Sequence, residues 1–203
     1  MAAAMIDKRS QIKTVIRAAA LEEFARDGLH GASMRDIATR AGIAKPKLYY
    51  YISSKEDLYR EILESIVDRW GELFFDIQNK DDPEIVIAKY IDTKIRHALN
   101  NPLECRFFSQ EVSRGAPVLR AYWDQSRTSV EHASAVIQNW IDAGKVKSVN
   151  PIVFQMQLWA VTQHYADYEA QAKFFLGVHD DDPLDAEMLI EQAQALFLRS
   201  IRP

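Results

Sequence analysis

The side chains best suited to contact a charged partner lie in a short run of alternating cationic and aromatic residues. Lys45 and Lys47 flank Pro46 and are followed by Tyr49 and Tyr51. Ammonium groups pair with phosphate oxygens or guanine edges, and phenolic hydroxyls donate hydrogen bonds to phosphate. The run therefore carries donors that a nucleic acid accepts. For the lysines, an ordinary solvated surface is the alternative interpretation.

Two short helices joined by a tight turn are predicted to position this run. Ser33 has the hydroxyl that caps a helix N-terminus, and apolar residues recur at helical spacing from there to Ala41. Gly42 suits the left-handed position after a helix, and the proline suits the first turn of a second helix, which begins near Ala44 or Lys45. Three residues of the second helix are predicted to be core: Leu48, Tyr50 and Ile52. The pair is a helix-turn-helix, a motif whose second helix enters the DNA major groove.

The charge distribution suits a protein that touches DNA through one module. The chain of 203 residues has a net charge of -4, but residues 1–60 hold 11 Lys and Arg against 7 Asp and Glu. A basic end attracts phosphate, and an acidic remainder stays away from it.

Patterns typical of enzymes and metal proteins are missing from the sequence. One cysteine, Cys105, excludes an internal disulfide, and the five histidines show no paired ligand spacing. Neither a Glu-x-x-His pair nor a Gly-x-Ser-x-Gly motif occurs, so a helical-bundle enzyme is a much less favoured alternative. We expect no enzymatic activity, no cofactor and no metal. No apolar run reaches the roughly 18 residues of a membrane span, which favours a cytoplasmic protein.

Helical signals continue along the rest of the chain. Glycines and prolines divide it into helical lengths, without hairpin signals or sustained alternation. We predict an all-α fold of about nine helices, with a three-helix DNA-binding domain at 1–53 and an effector-binding and dimerisation domain at 54–203. Two long apolar helices are predicted at 152–176 and 184–201. Their apolar faces could be monomer core or a dimer interface.

Several runs near the N-terminus resemble the DNA-binding domain of the TetR family of repressors. They are Ala38, Ala41-Gly42-Ile43, Lys45-Pro46, Leu48-Tyr49-Tyr50-Tyr51 and Ser54-Lys55-Glu56-Asp57-Leu58. The resemblance implies DNA contacts from eight residues: Ser33, Arg35, Lys45, Pro46, Lys47, Tyr49, Tyr51 and Lys55. Ala44 departs from the family's capping Ser or Thr, at a cost of about 1 kcal/mol in helix stability. The resemblance also implies a homodimer through the last two helices, bound to a palindromic operator.

A second group of residues has the chemistry to hold a small planar molecule. Trp159, Gln163 and Asp167 follow one another at helical spacing, and Trp70 on the fourth helix is a candidate partner. An indole face and an amide suit a heterocycle with alternating carbonyl and N–H groups. Spacing alone favours the alternative, a satisfied polar cluster at a dimer interface.

Four further runs resemble the RutR-like branch of the family, regulators of pyrimidine use that bind uracil or thymine. They are residues 66–70, 115–117, 159–167 and 201–203. The resemblance implies that Trp70 and Gln163 belong to the effector pocket, with Trp159 and Asp167 as neighbours. Residues 107–114 depart from the branch. Glu111 in this segment could enter the pocket and favour a cationic ligand, or it could form a surface salt bridge with Arg114.

The resulting hypothesis is a repressor that a small planar ligand, such as a pyrimidine, releases from its operator. Ligand bound between the fourth and eighth helices displaces the fourth and changes the separation of the two recognition helices. The alternative within the same fold is an unrelated effector, apolar or cationic.

Overall fold

The computed structural model describes residues 2–74, 78 and 81–203. These residues form ten α-helices and one 3-10 helix, and no β-strand occurs among them. The α-helices are Ala2–Gly31 (α1), Met34–Arg40 (α2), Lys45–Tyr51 (α3), Lys55–Phe74 (α4), Pro83–Asn100 (α5), Pro102–Ser113 (α6), Trp123–Asp142 (α7), Pro151–Asp167 (α8), Glu169–Leu176 (α9) and Ala186–Ile201 (α10). The 3-10 helix is Leu119–Tyr122. The predicted all-α class is confirmed.

The described residues contain one α-helix more than the nine expected, because the segment predicted as one long helix at 152–176 is two. Tyr168 separates α8 from α9 with φ -121° and ψ 37°, outside the helical region. Neither glycine nor proline stands at this break, so the sequence carried no signal for it.

Three of the helices after α4 begin at a carboxylate or amide cap. Asp82 accepts from Glu84 N and Ile85 N at α5, and Asn150 accepts from Ile152 N and Val153 N at α8. At α5 and α8 the next residue is proline, whose fixed φ suits the first helical position. Asp185 caps α10 by accepting from Met188 N. These caps satisfy backbone donors that the first turn leaves without partners.

The chain divides into two compact units. The first comprises Met1–Asp68 with Arg106–Leu119, and the second comprises Arg69–Cys105 with Arg120–Pro203. The helices α4 and α6 therefore each contribute residues to both units. The predicted functional domains, 1–53 and 54–203, follow different limits and stay a prediction.

The first unit has an aromatic core. Phe24 of α1 lies 5.0 Å from Tyr59 of α4 and 6.1 Å from Phe107 of α6, measured between ring centres. Tyr59 and Phe107 are 4.7 Å apart and meet edge to face, a favourable aromatic geometry. The core therefore joins three helices that are distant in sequence.

The core of the second unit is built mainly on α5. This helix packs on α8 and α10, and α7 packs on α8. Ile87, Ile91 and Ile95 form the buried stripe of α5 and meet Phe154, Leu158 and Phe197. None of the helices in the described ranges combines the length and the apolar character needed to cross a membrane.

Candidate nucleic-acid interface and ligand site

The turn between α2 and α3 has the geometry that its residues predict. Ser33 caps α2, with its hydroxyl oxygen accepting from Asp36 N at 3.1 Å. Gly42 has φ +65°, and Ile43 N donates to Ala38 O at 3.0 Å, which ends the helix in a left-handed cap. At the start of α3, Pro46 occupies the first turn and Ala44 makes no side-chain capping bond. The missing cap follows from the alanine, as expected.

The recognition helix α3 buries one residue and exposes most others. Leu48 is buried within it, and Ile52 is buried at its C-terminal cap, as predicted. The prediction for Tyr50 is wrong, because its side chain is 72% exposed. Residues 48 and 50 lie about 200° apart around a helix, so the burial of one places the other outside.

The predicted DNA contacts on α3 point away from the core. Lys45, Pro46 and Lys47 are exposed, Tyr49 is half-exposed and Tyr51 is partly buried. The Lys45 ammonium lies 5.9 Å from the centre of the Tyr49 ring. Lys45 and Tyr49 therefore present an ammonium group and a phenol together.

The three remaining candidates lie outside α3, and they differ in the hydrogen bonds that their side chains already make. Arg35 is exposed on α2. Ser33 already uses its hydroxyl in the helix cap. Lys55 donates from Nζ to Ala32 O at 2.9 Å, which leaves the other N–H bonds of its ammonium for an outside acceptor. Their roles as DNA contacts stay predictions.

A buried carboxylate holds α2 against α1, and sequence reasoning missed it. Glu23 of α1 is almost fully buried and accepts from Arg40 Nε at 2.7 Å and Arg26 Nη2 at 2.6 Å. Arg40 also reaches Glu22 at 2.6 Å. A buried carboxylate is stable when charged partners satisfy it. This network fixes the helix that precedes the recognition helix.

In the second unit, Trp70 and Gln163 meet through a residue that the sequence analysis did not select. Lys94 of α5 has its Nζ 3.7 Å from the centre of the Trp70 ring and 3.2 Å from Gln163 Oε1. Gln163 Nε2 donates to Cys105 O at 3.3 Å, and Trp70 Nε1 donates to His97 Nε2 at 2.9 Å. We call Trp70, Lys94, His97 and Gln163 the α5 polar cluster.

Burial lowers the pKa of two members of this cluster, Lys94 and His97. Lys94 is 3% exposed, and burial lowers its pKa to about 8, although the nearby Cys105 and Asp167 act to raise it. Burial, and then the charge of Lys94, also lowers the pKa of His97. A neutral His97 can accept the Trp70 N–H at Nε2, which a protonated ring cannot do.

The sequence did contain a signal for Lys94. It lies seven residues after Ile87 and three after Ile91, on the buried stripe of α5. A lysine at a core position of a helix requires a polar or aromatic partner. The position of Lys94 in the stripe predicts that it is buried. It does not predict its partners, which lie on α4 and α8.

The other predicted ligand residues lie in different surroundings. Trp159 hydrogen bonds with Tyr90 and lines a small apolar cleft of about 40 Å³ between α5, α7 and α8. Asp167 influences the cluster through its charge on Lys94. Among the described residues, no group of three or more metal-ligating side chains occurs.

Glu111 lies in the first unit and not in the α5 polar cluster. It is 2% exposed and accepts from Tyr59 Oη at 2.9 Å, Val118 N at 2.6 Å and Leu119 N at 3.2 Å. The alternative of a surface salt bridge with Arg114 is therefore wrong, because the carboxylate is not at the surface. Its three donors give Glu111 a structural role in joining α4, α6 and the 3-10 helix.

Two models of known protein families match consecutive parts of this chain. The family model for bacterial regulatory proteins of the tetR family matches residues 16–62, and the model for the C-terminal region of YcdC-like protein matches residues 63–203. The HTH-type transcriptional regulator RutR of Escherichia coli strain K12 is 32% identical over 192 residues, covering 94% of this chain and 91% of that protein.

Solved structures share the fold at lower sequence identity. The ketosteroid transcriptional regulator KstR2 of Mycobacterium tuberculosis has a TM-score of 0.72 and 18% identity, covering 97% of this chain and 95% of that one. AibR in complex with isovaleryl coenzyme A and operator DNA has a TM-score of 0.69 and 18% identity, covering 91% and 96%.

These relatives are regulators of transcription and not enzymes, as expected for this chain. The two family models together cover the helix-turn-helix, the α5 polar cluster and the C-terminal helices. The chain therefore belongs to the TetR family of DNA-binding transcriptional regulators.

Proposed function

We propose that this regulator is a homodimeric, cytoplasmic repressor that a small planar effector, such as uracil or thymine, releases from a palindromic operator. Residues 1–53 bind DNA, and residues 54–203 bind the effector and the second subunit. The observation that carries the effector proposal is that Trp70 and Gln163 both contact the buried Lys94. Its Nζ lies 3.7 Å from the centre of the Trp70 ring and 3.2 Å from Gln163 Oε1.

The exposed face of α3 supports the DNA contacts. Its lysines and tyrosines suit phosphate oxygens and base edges, and a two-fold dimer places two such helices about 34–36 Å apart, one turn of DNA. The apolar residues left exposed on α8 and α10 support the dimer through these helices. They are Ile152, Val153, Met156 and Leu196.

The test of DNA binding uses an operator selected from a random-sequence pool. We expect Lys47→Ala to weaken operator binding and to reduce the slope of log affinity against log salt by about 1, because one phosphate contact is lost. Lys89→Ala, on an exposed position of α5, serves as the control. Fluorescence anisotropy at several salt concentrations measures both. An unchanged slope for Lys47→Ala rejects its contact with phosphate.

The effector shifts the population between DNA-bound and released states, so it must bind the released state more tightly. Trp70 supplies a stacking surface, and Gln163 supplies a paired donor and acceptor. With a coupling of about 1–3 kcal/mol, saturating effector weakens operator binding about 5- to 150-fold. We expect Gln163→Leu to abolish this effect while leaving operator affinity without effector unchanged. Equal operator affinity with and without ligand across a panel of nucleobases rejects the pyrimidine class.

The second candidate is an apolar effector that enters at the cleft beside Trp159, which has a volume of about 40 Å³ and has to widen to hold it. Val86, Ile87, Leu158 and Trp159 are among the residues that line this cleft, and relatives of this fold are named for a ketosteroid and for a complex with isovaleryl coenzyme A. A fatty acid that releases DNA without dependence on Gln163 favours this candidate. A cationic effector is disfavoured, because Lys94 repels it and three donors of the protein already satisfy the Glu111 carboxylate.

A further inference from the structure

Lys94 occupies the place that the proposed effector has to enter. Its Nζ lies over the Trp70 ring and within hydrogen-bond distance of Gln163 Oε1. A ring that stacks on this face of Trp70 and donates an N–H to Gln163 therefore replaces the Lys94 ammonium at both contacts.

The displaced ammonium stays inside the protein. Lys94 belongs to the buried stripe of α5 and is almost inaccessible to solvent. Burial already disfavours its charged form, and lowers its pKa, more than Asp167 and Cys105 favour it. An ammonium that exchanges the amide oxygen of Gln163 for a ligand oxygen keeps a hydrogen-bond acceptor in these surroundings. An acceptor that carries a negative charge compensates it best, because charge-assisted hydrogen bonds are the stronger ones.

The other cationic side chain whose charge acts on the cluster, Arg69, already has a carboxylate partner. Arg69, whose charge reaches His97, pairs with both carboxylate oxygens of Glu104 at 2.9 and 2.8 Å. The His97 Nε2 atom accepts from Trp70, so this nitrogen offers no proton. Lys94 is therefore the cation in this cluster whose partners the effector changes.

We propose that Lys94 determines the specificity of the effector site and selects a planar ring that carries a carboxylate beside a ring N–H. The ring stacks on Trp70, the N–H donates to Gln163 Oε1, and the carboxylate accepts from Lys94 Nζ. This inference rests on the proposed effector site at Trp70 and Gln163, and it adds the charge of the ligand.

The experiment compares two ligands that differ in charge alone. Calorimetric titration of the full-length protein uses uracil-6-carboxylate and its neutral isostere, uracil-6-carboxamide. We expect the carboxylate to bind about 10- to 100-fold more tightly, the range for a hydrogen bond between charged groups. Lys94→Met should remove this preference, whereas Lys89→Met, on an exposed position of the same helix, should retain it.

Lys94→Met keeps the length of the side chain and removes a buried charge, a change that often leaves a fold as stable as before. Thermal unfolding checks this, and Lys94→Gln is the second variant if Lys94→Met does not fold. Equal affinity of the wild-type protein for the two ligands overturns the proposal. So does a carboxylate preference that both Lys94 variants retain.

A second ligand pair separates this proposal from the pyrimidine class. Pyrrole-2-carboxylate and pyrrole-2-carboxamide keep the ring N–H beside the substituent without the pyrimidine carbonyls. Lys94-dependent binding of the pyrrole carboxylate alone rejects the pyrimidine and supports the charge selection. Binding and DNA release by uracil, with no binding of either carboxylate, overturns the charge selection and keeps the proposed function. Failure of every ring to bind at millimolar concentration rejects both.

Discussion

Glu111 and Lys94 both have ionisable side chains and are both buried, but their surroundings have opposite effects on the charged form. Three donors, one phenol and two backbone N–H groups, satisfy the Glu111 carboxylate. Lys94 lies against an aromatic face and an amide oxygen, and burial lowers its pKa. The surroundings of Glu111 therefore stabilise its charge, whereas burial disfavours the charge of Lys94.

At Glu111 we predict a large loss of stability on a small chemical change. Glu111→Gln should lower the free energy of unfolding by about 1.5–3 kcal/mol, because the charge is lost and one of the two acceptor oxygens becomes an amide nitrogen that cannot accept. Tyr59→Phe should cost less, about 1 kcal/mol, since one hydrogen bond is lost. Urea unfolding at neutral pH measures both. The exposed Glu191→Gln is the control, and a Glu111→Gln value equal to it rejects the structural role.

The lowered pKa of Lys94 predicts a pH dependence of stability. Its pKa is about 8 in the folded state, against 10.5 for an unperturbed lysine, so between these values the unfolded chain binds more protons. The free energy of unfolding contributed by this group therefore rises with pH in that window, by at most about 1.4 kcal/mol per pH unit.

Lys94→Met lacks this titration, so its stability relative to wild type should be highest below pH 8 and should decrease up to about pH 10.5. Urea unfolding at a series of pH values measures the difference, and tyrosine titrations cancel because both proteins contain them. A difference that does not vary between these pH values shows that the folded Lys94 pKa is not lowered.

At the scale of elements, α3 differs from α5, α8 and α10 in how it begins. Asp82, Asn150 and Asp185 accept backbone N–H groups at the starts of α5, α8 and α10, whereas Ala44 offers α3 no side-chain acceptor. The helix is seven residues long and buries one of them. Its conformation therefore depends on Pro46, on the turn at Gly42 and on packing against α2.

A cap on α3 should stabilise the protein. Ala44→Ser should raise the free energy of unfolding by about 0.5–1 kcal/mol, because its hydroxyl can accept one of the free N–H groups of the first turn. Ala44 already has the extended backbone of a capping residue, with φ -69° and ψ 141°. Thermal unfolding gives the change, and Ala44→Val, which lacks the acceptor, is the matched control. No gain of Ser over Val contradicts the expected role of the cap.

At the scale of the whole molecule, several large apolar side chains of the described residues are exposed on the last helices. Met156 of α8 and Leu196 of α10 are about half exposed, and Phe174 and Phe175 of α9 are more exposed still. The exposure of these side chains on α8, α9 and α10 is a feature of interaction surfaces. It supports the proposed homodimer and extends the surface to α9, the helix that the sequence had merged with α8.

Charges placed on this surface should separate the subunits. The double substitution Met156→Glu and Leu196→Glu should shift the protein to monomers, since a carboxylate buried in an apolar interface has no partner. Sedimentation velocity measures the state of association, and operator affinity should decrease with it. Ile85→Glu replaces an apolar residue of α5 that is also exposed and should leave the association unchanged. If the double variant stays dimeric, the dimer interface lies on another surface of the protein.

Local chemistry in the sequence was sufficient to predict the helix-turn-helix. Gly42, Pro46 and the caps at Ser33, Asp82 and Asn150 act on backbone groups a few residues away, so their effect does not depend on the remainder of the fold. The same local signals gave the all-α class and the absence of a cap at Ala44. Family motifs in the same stretch led to the TetR family, which is confirmed.

Tertiary structure decided which distant side chains meet. Lys94 joins Trp70, 24 positions before it, and Gln163, 69 positions after it, while Glu111 meets Tyr59 at a separation of 52. Periodicity identifies the buried face of a helix but not the helix that covers it, so the sequence placed Gln163 on a face without revealing its ammonium partner. The sequence by itself therefore determined the helix-turn-helix, the all-α class and the family, whereas the packing of α4, α5 and α8 decided which side chains meet at the candidate site.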